Sequence, residues 1–574
     1  MRQIQTYKHI IMRKAIIGFC ITAVALLMLS SCSAKLGELA ADNFKVNPNP
    51  LETHGGQVQA TINGAFPEGY MKRNAVVMVT PELRYMADGM QQKVQGESAT
   101  LQGEEVMGND QIISYMLGGH YTMRSSFPYV PAMEQSELWM SFNARVGNKV
   151  VTVPAVKIAD GVIATSELYK RTLTSAKPVV AEDAFQRVTE ERLEANIRFL
   201  VAQTELRKSE LQNNSVTEFV KLLQRVNQDR EMLNINNIDI SAYASPEGSL
   251  DINERLASGR QKVTTDYVRR QLDENQLQAY VDTHYTAEDW EGFQQLVRAS
   301  VIQDKDVILR VLSMYQDPEE REKQIRNMSE AFRELADGIL PELRRARLTV
   351  NYEIIGRDDA QIKEQLKNDV SKLSVEELLY AATLTDNAGE QLNIYQQTTR
   401  LFPQDARAYN NIGNVYFAQG DYEEAGRYYQ RALSIDRNCG AAHANIGLLE
   451  LINGNTAEAE NSIGRASTVR RLGETLGNLH LAQGNYALAE QDFGYTASNS
   501  AALAQIMNKN YERAAQTLDN IKQADAMTDY LRAILNARQG NNEAAATSLG
   551  KAVTKDASLK PLADRDLEMK AVSK

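Results

Sequence analysis

Residues 409–425 read YNNIGNVYFAQGDYEEA, and the same pattern returns further along the chain. Gly413, Gly420, Ala425 and Ala432 recur as Gly447, Gly454, Ala459 and Ala466, each displaced by 34 residues. A third copy, Gly477, Gly484, Ala489 and Thr496, is shortened by four, and weaker echoes follow at 510–514 (NYERA) and 540–545 (GNNEAA). Small residues at fixed places let paired helices approach closely, while Tyr416, Tyr422 and Tyr429 fill the gap between neighbours. Each helix pair leaves one apolar face that only the next pair can cover, so such an array needs about three units, and roughly five are visible. A capping box, Ser374-Val375-Glu376-Glu377, opens the region, and the array is expected over residues 374–560.

The period and the paired motifs resemble the tetratricopeptide family, which implies an α-solenoid with a concave binding face. By that resemblance the groove carries Arg407, Asn410, Asn414 and Phe417, then Ala441, Ala444, Leu448 and Leu451, then Arg471, Glu474, Asn478 and Leu481. An apolar centre with polar ends suits a helix or an extended peptide of a partner protein.

Upstream, residues 188–356 read as a layered α/β domain. Ala195, Ile197, Phe199 and Val201 alternate as a strand, and Ser215-Val216-Thr217-Glu218 reads as a capping box before an amphipathic helix. Ile238, Ile240 and Ala242 form a second strand, and Leu348, Val350, Tyr352 and Ile354 a closing one. The segment IDISAYASPEGSLDINERLASGR, residues 238–260, resembles the strand–loop–helix of the OmpA-like peptidoglycan-binding family. The resemblance implies a grip on the diaminopimelate zwitterion by a loop carboxylate and a helix arginine. Arg260 supplies the cation, and guanidinium pairs bidentately with carboxylate. Ser245 stands at the aspartate position, with Glu247 two residues on; Asn253 matches the family, and Arg347 lies in a loose counterpart of its Asn-Arg-Arg element. Residues 271–344 depart from the family and read as a helical insertion. His284 and Asp289 within it look catalytic but are expected to be structural.

Residues 51–170 alternate in short runs (57–63, 75–80, 137–146) separated by turn signals such as Gly147-Asn148, which predicts a β-sandwich. Tyr121, Tyr129, Trp139 and His120 are read as ordinary sandwich aromatics, a glycan-stacking platform being the alternative.

At the N-terminus, Arg13 and Lys14 precede the apolar run AIIGFCITAVALLML at 15–29. That is shorter than the about 20 residues a spanning helix needs, so residues 1–31 read as a secretion signal. Leu29-Ser30-Ser31-Cys32 resembles the bacterial lipobox, which implies diacylation of Cys32, cleavage before it and N-acylation. The mature chain continues Ser33-Ala34-Lys35, without the aspartate associated with inner-membrane retention, which implies outer-membrane sorting. Residues 32–50 are the tether. The chain as a whole resembles a Bacteroidota-type outer-membrane lipoprotein joining an OmpA-like domain to tetratricopeptide repeats.

The fold class expected is therefore multidomain: N-terminal β-sandwich, central OmpA-like α/β domain with helical insertion, and C-terminal tetratricopeptide α-solenoid. The 574 residues carry a formal charge of −11, which becomes −15 once the signal's four basic residues are gone. Such a balance excludes a phosphate-neutralising footprint for nucleic acid. Six histidines lie scattered, no P-loop, nucleophile elbow or metal-ligand spacing occurs, and Ser548–Lys551 matches a serine–lysine pattern only at repeat spacing. No cofactor and no metal are expected. The function expected is a non-catalytic, lipid-anchored envelope scaffold facing the periplasm, its OmpA-like domain docking to peptidoglycan or an envelope protein and its repeats binding a protein partner; the alternative is a surface adhesin or glycan-capture lipoprotein.

Overall fold

The computed structural model describes residues 35–572 other than Gln303, Met328 and Thr468, so the signal and Cys32 lie outside the described residues. Two compact units divide the chain, one combining residues 1–182 with 386–574 and the other spanning 183–385. The β-rich region and the repeat array, far apart in sequence, thus pack into one unit.

In the first unit, the N-terminal region holds two sheets around one apolar core. One sheet is built on strand Gln57–Phe66, which pairs along its length with Gly119–Pro128 and is flanked by Phe44–Asn47 and Leu51–His54. The other is built on Ala75–Ala87 and Glu137–Val146. Val58, Ala60, Ile62 and Phe66 point inward from one strand and Leu138, Met140 and Ala144 from the other, the alternation a half-buried sheet requires. Gly147 turns the chain at positive φ into Lys149–Val151.

The same unit's C-terminal half is an α-helical solenoid. Five helix pairs succeed one another: Ala406–Ala418 with Tyr422–Ile435, Gly440–Ile452 with Thr456–Gly464, Gly473–Ala482 with Tyr486–Phe493, Asn499–Met507 with Tyr511–Asp519, and Ala526–Arg538 with Asn542–Lys555. The repeat glycines have a steric job. A Cβ at Gly413 would stand 2.5 Å from the Tyr429 ring, one at Gly447 would stand 2.4 Å from Ile463, and one at Gly477 would stand 2.9 Å from the Phe493 ring. In every case the large side chain comes 16 residues after the glycine, so the first helix of a pair has a flat seat for the second.

Polar bonds fasten the β-rich region onto the array. Arg538 reaches Glu52 at 2.7 Å and Glu568 at 2.6 Å, Arg565 reaches Glu134 at 3.0 Å, and His54 Nδ1 lies 3.1 Å from the Tyr486 hydroxyl.

The second unit has a four-stranded sheet in the order Val188–Arg198, Arg345–Ile355, Leu233–Tyr243, Tyr280–Thr286, the last pair parallel and the others antiparallel. Helices Asn214–Gln228 and Leu250–Glu274 cover one face, burying Val216, Phe219, Leu223, Val268 and Leu272 against Ile197, Ile240 and Leu348. The first strand begins earlier than the sequence alternation suggests and ends at Arg198; Val201, expected in it, is exposed. The first helix is capped by Asn213, whose side chain accepts from the Val216 amide, in place of the expected box at Ser215. The Ser374–Glu377 box does form, on helix Val375–Thr383, and that helix belongs to this unit. Helices Trp290–Ala299, Lys305–Met314, Pro318–Asn327, Ser329–Gly338 and Leu340–Leu343 fill the insertion and share a small core around Phe293, Ile308, Leu312 and Leu343.

Candidate functional site

The first helices of successive pairs pack against the chain's own residues 165–182. Three short helical turns, Thr165–Leu168, Tyr169–Thr172 and Leu173–Ser175, lead into an extended stretch, and Leu168, Tyr169, Leu173, Ala176 and Ala181 join the array's apolar core. Asparagines then take up the backbone. The Val179 N–H donates to Asn445 Oδ1 at 2.6 Å, and the Val179 carbonyl accepts from Asn410, Asn414 and Asn445 at 3.1, 3.0 and 2.8 Å. The Ala181 N–H donates to Asn411 Oδ1 at 2.9 Å while its carbonyl accepts from Asn411 Nδ2 at 3.0 Å. A carboxamide carries one acceptor and two donors side by side, so it matches the two polar groups of one residue in an extended chain. Just before Val179, the Lys177 N–H points to Glu474, whose carboxyl is pushed up by burial.

The groove residues expected from sequence therefore separate. Asn410 and Asn414 line the groove and bind chain, and the chain they bind is this protein's own. Phe417 and Leu448 are buried, Phe417 edge-on to Tyr422, and they serve packing. Arg407 pairs with Asp405 at 2.7 Å, Asn478 is buried and donates to the Glu474 carbonyl, and Arg471 is exposed at the rim. Asn411 and Asn445 were missed. Their signal was the period itself, since Asn411-Ile412-Gly413 and Asn445-Ile446-Gly447 stand 34 apart.

In the second unit, the residues expected to grip a zwitterion lie in the loop after strand Leu233–Tyr243, on helix Leu250–Glu274 and on strand Arg345–Ile355. Arg260 is 1% exposed, and its guanidinium donates to three backbone carbonyls: Gln203 at 3.1 Å, Tyr243 at 2.9 Å and Leu200 at 3.3 Å. It lies over the Phe199 ring, and burial, reinforced by the neighbouring Arg344 charge, lowers its pKa to about 10. Arg260 as a ligand-facing cation is thus corrected: its donors tie together loop carbonyls at the end of the sheet. Glu247 is also committed, bound in a fork by the buried Arg344 at 2.8 and 3.3 Å and accepting from the Ser245 hydroxyl at 2.8 Å. Asn253 donates to the Gly248 carbonyl at 2.8 Å, which fixes the loop, and Arg347 lies 5.8 Å from the Tyr243 ring centre.

Asp289 caps helix Trp290–Ala299 and pairs with Arg345 at 2.9 Å, the structural role read for it. His284 meets Asp282 of its own strand at 3.1 Å and, across the parallel strand pair, Asp239 at 3.4 Å, a grouping of ligand-type atoms that the sequence spacing does not reveal. Tyr121 is buried against Phe66 in the β core and Trp139 lies under Arg84, so these two aromatics serve packing. Ser548 is buried while Lys551 is exposed. Among the described residues no helix is long and apolar enough to cross a membrane.

The family model of the tetratricopeptide repeat matches residues 406–439, the first full helix pair of the solenoid. A tetratricopeptide-repeat domain is present. The repeat is a protein-interaction fold and is non-catalytic. No curated protein matches the chain. Among solved structures, a tetratricopeptide repeat protein from Parabacteroides merdae is 19% identical, with 38% of this chain and 91% of that one covered and a TM-score of 0.27. The pilF protein of Pseudomonas aeruginosa is 18% identical over 37% of this chain and 98% of that one, TM-score 0.26. Yeast Tom70 is 11% identical over 64% and 83%, TM-score 0.23. At such scores these likenesses carry no argument of their own.

Proposed function

We propose that this chain is a non-catalytic, lipid-anchored scaffold of the cell envelope whose repeat array holds proteins as extended segments. The observation that carries this reading is the Asn411 carboxamide engaging both polar groups of Ala181, with Asn410, Asn414 and Asn445 doing the same work at Val179. Backbone bonds of this kind accept any extended segment whose side chains fit, so residues 177–182 fill the groove as an internal ligand that a partner's segment displaces. The β-rich pair of sheets is read as a sandwich and the second unit as an OmpA-like domain carrying a helical insertion. Because Arg260 is spent on loop carbonyls, that domain is assigned to docking an envelope protein in preference to peptidoglycan. Acylation of Cys32 and a periplasmic placement on the outer membrane complete the proposal.

A photo-crosslinking residue placed at the exposed Arg471 in living cells tests it. A protein adduct is expected, and its yield should rise when Val179→Pro and Ala181→Pro remove the two N–H groups that Asn445 and Asn411 bind and so loosen the internal segment. Membrane-localised protein that gives no intermolecular adduct in either background refutes the reading.

A further inference from the structure

We infer that one pole of the β-rich region, formed by residues 66–73, 103–108 and 114–118, seats in the lipid bilayer beside Cys32, so that the protein touches the membrane with its fold as well as its acyl chains. The inference rests on the lipid-anchor reading above.

The reach of the tether allows the placement. Lys35 follows Cys32 by three residues, which extend to at most roughly 10 Å. Leu36 and Leu39 are buried in the β core, so the chain is fixed from that point onward. A Cβ on Gly37 would touch the Tyr70 ring at 3.8 Å, Tyr70 packs on Phe66 with centroids 5.3 Å apart, and the Gly69 N–H donates to the Tyr115 carbonyl at 2.7 Å. An acylated Cys32 on so short a tether has the 114–118 turn within its reach.

That turn and its neighbour present large apolar side chains to solvent. Leu117 is 82% exposed, Met116 64% and Met107 101%. The loops that carry them are braced. The buried Gln102 amide donates to the carbonyls of Val106 and Gly108, both at 3.1 Å, and the Glu105 N–H donates to Arg73 O at 2.7 Å. The Ser114 hydroxyl donates to Glu104 at 2.7 Å while accepting from the Leu117 N–H. Holding apolar side chains outward on fixed loops lowers the ordering cost of inserting them. Lys35, Lys72 and Arg73 are offset by Glu68, Glu104 and Glu105 at the same pole, so apolar burial drives the contact and anionic lipid adds little. The array meets the opposite pole, at His54, one strand of ten residues away, or roughly 30 Å. Seating this pole in the bilayer holds the array that far from the membrane surface.

The test uses the full-length acylated protein reconstituted in vesicles of phosphatidylethanolamine and phosphatidylglycerol, with an environment-sensitive dye on Leu117→Cys or, as control, on the exposed Tyr495→Cys. The expected result is a blue-shifted emission and several-fold quenching by nitroxide-labelled lipid at position 117 only, insensitive to salt. Met116→Ser combined with Leu117→Ser, both at solvent-facing positions, should leave vesicle flotation and circular dichroism unchanged and remove quenching from a dye on Met107→Cys. If position 117 stays water-like in protein that floats with vesicles and carries the acyl mass on Cys32, the anchor stands and the bilayer seat is refuted. Should Cys32 be unmodified and the protein fail to float, the anchor reading falls and the seat falls with it.

Discussion

Replacing Asn411 by alanine isolates the groove's grip on its internal ligand. The side chain is buried and supplies both partners of Ala181, so its removal leaves one N–H and one C=O in a buried place without a bond. Each such group costs about 1–3 kcal/mol. Relaxation of an extended segment recovers part of this, which puts the net loss at about 2–4 kcal/mol. Because tenfold corresponds to about 1.4 kcal/mol, exchange of the Ala181 amide should quicken by about 30-fold to 1,000-fold. Native-state hydrogen exchange resolved at single residues reads this directly. The Val179 amide, held by Asn445, should quicken much less, which separates a local release from general unfolding. An Ala181 amide that exchanges fast in the wild-type protein, or one indifferent to Asn411→Ala, would refute the argument that these residues are clasped.

Other consequences follow from single contacts. Arg260→Ala strips partners from three carbonyls and should destabilise the second unit by about 3 kcal/mol or more, seen as a lower urea midpoint, with no change in retention on purified sacculi. Gly413→Ala drives a methyl into the Tyr429 ring and should cost about 1–3 kcal/mol, read as a drop in Tm. Burial, with the Glu568 carboxylate adding to it, raises the Asp566 carboxyl from 3.8 to about 6. The folded chain then binds more protons than the unfolded chain between those values, so this group makes stability rise as pH falls from 7 through about 6 and reach its full effect below 3.8. Asp566→Asn should flatten that part of the stability profile between pH 5 and pH 7, measured by thermal denaturation.

Local chemistry was legible in the sequence because local geometry writes it there. The period of 34, the glycine that seats a ring 16 residues on, the Ser374–Glu377 box and the alternation of Glu137–Val146 each concern neighbours within one helix pair, cap or strand. These determine that residues 406–555 stack as a solenoid and that the region around 137–146 is sheet. Tertiary structure alone decided what the functional-looking side chains face. Asn411 meets Ala181 across 230 residues of chain, and Arg260 meets Leu200 and Gln203 across about sixty. Asparagine and arginine carry the same donors whether they point at a ligand or at the protein's own carbonyls. Which of the two they meet depends on where distant segments pack, and no periodicity records that.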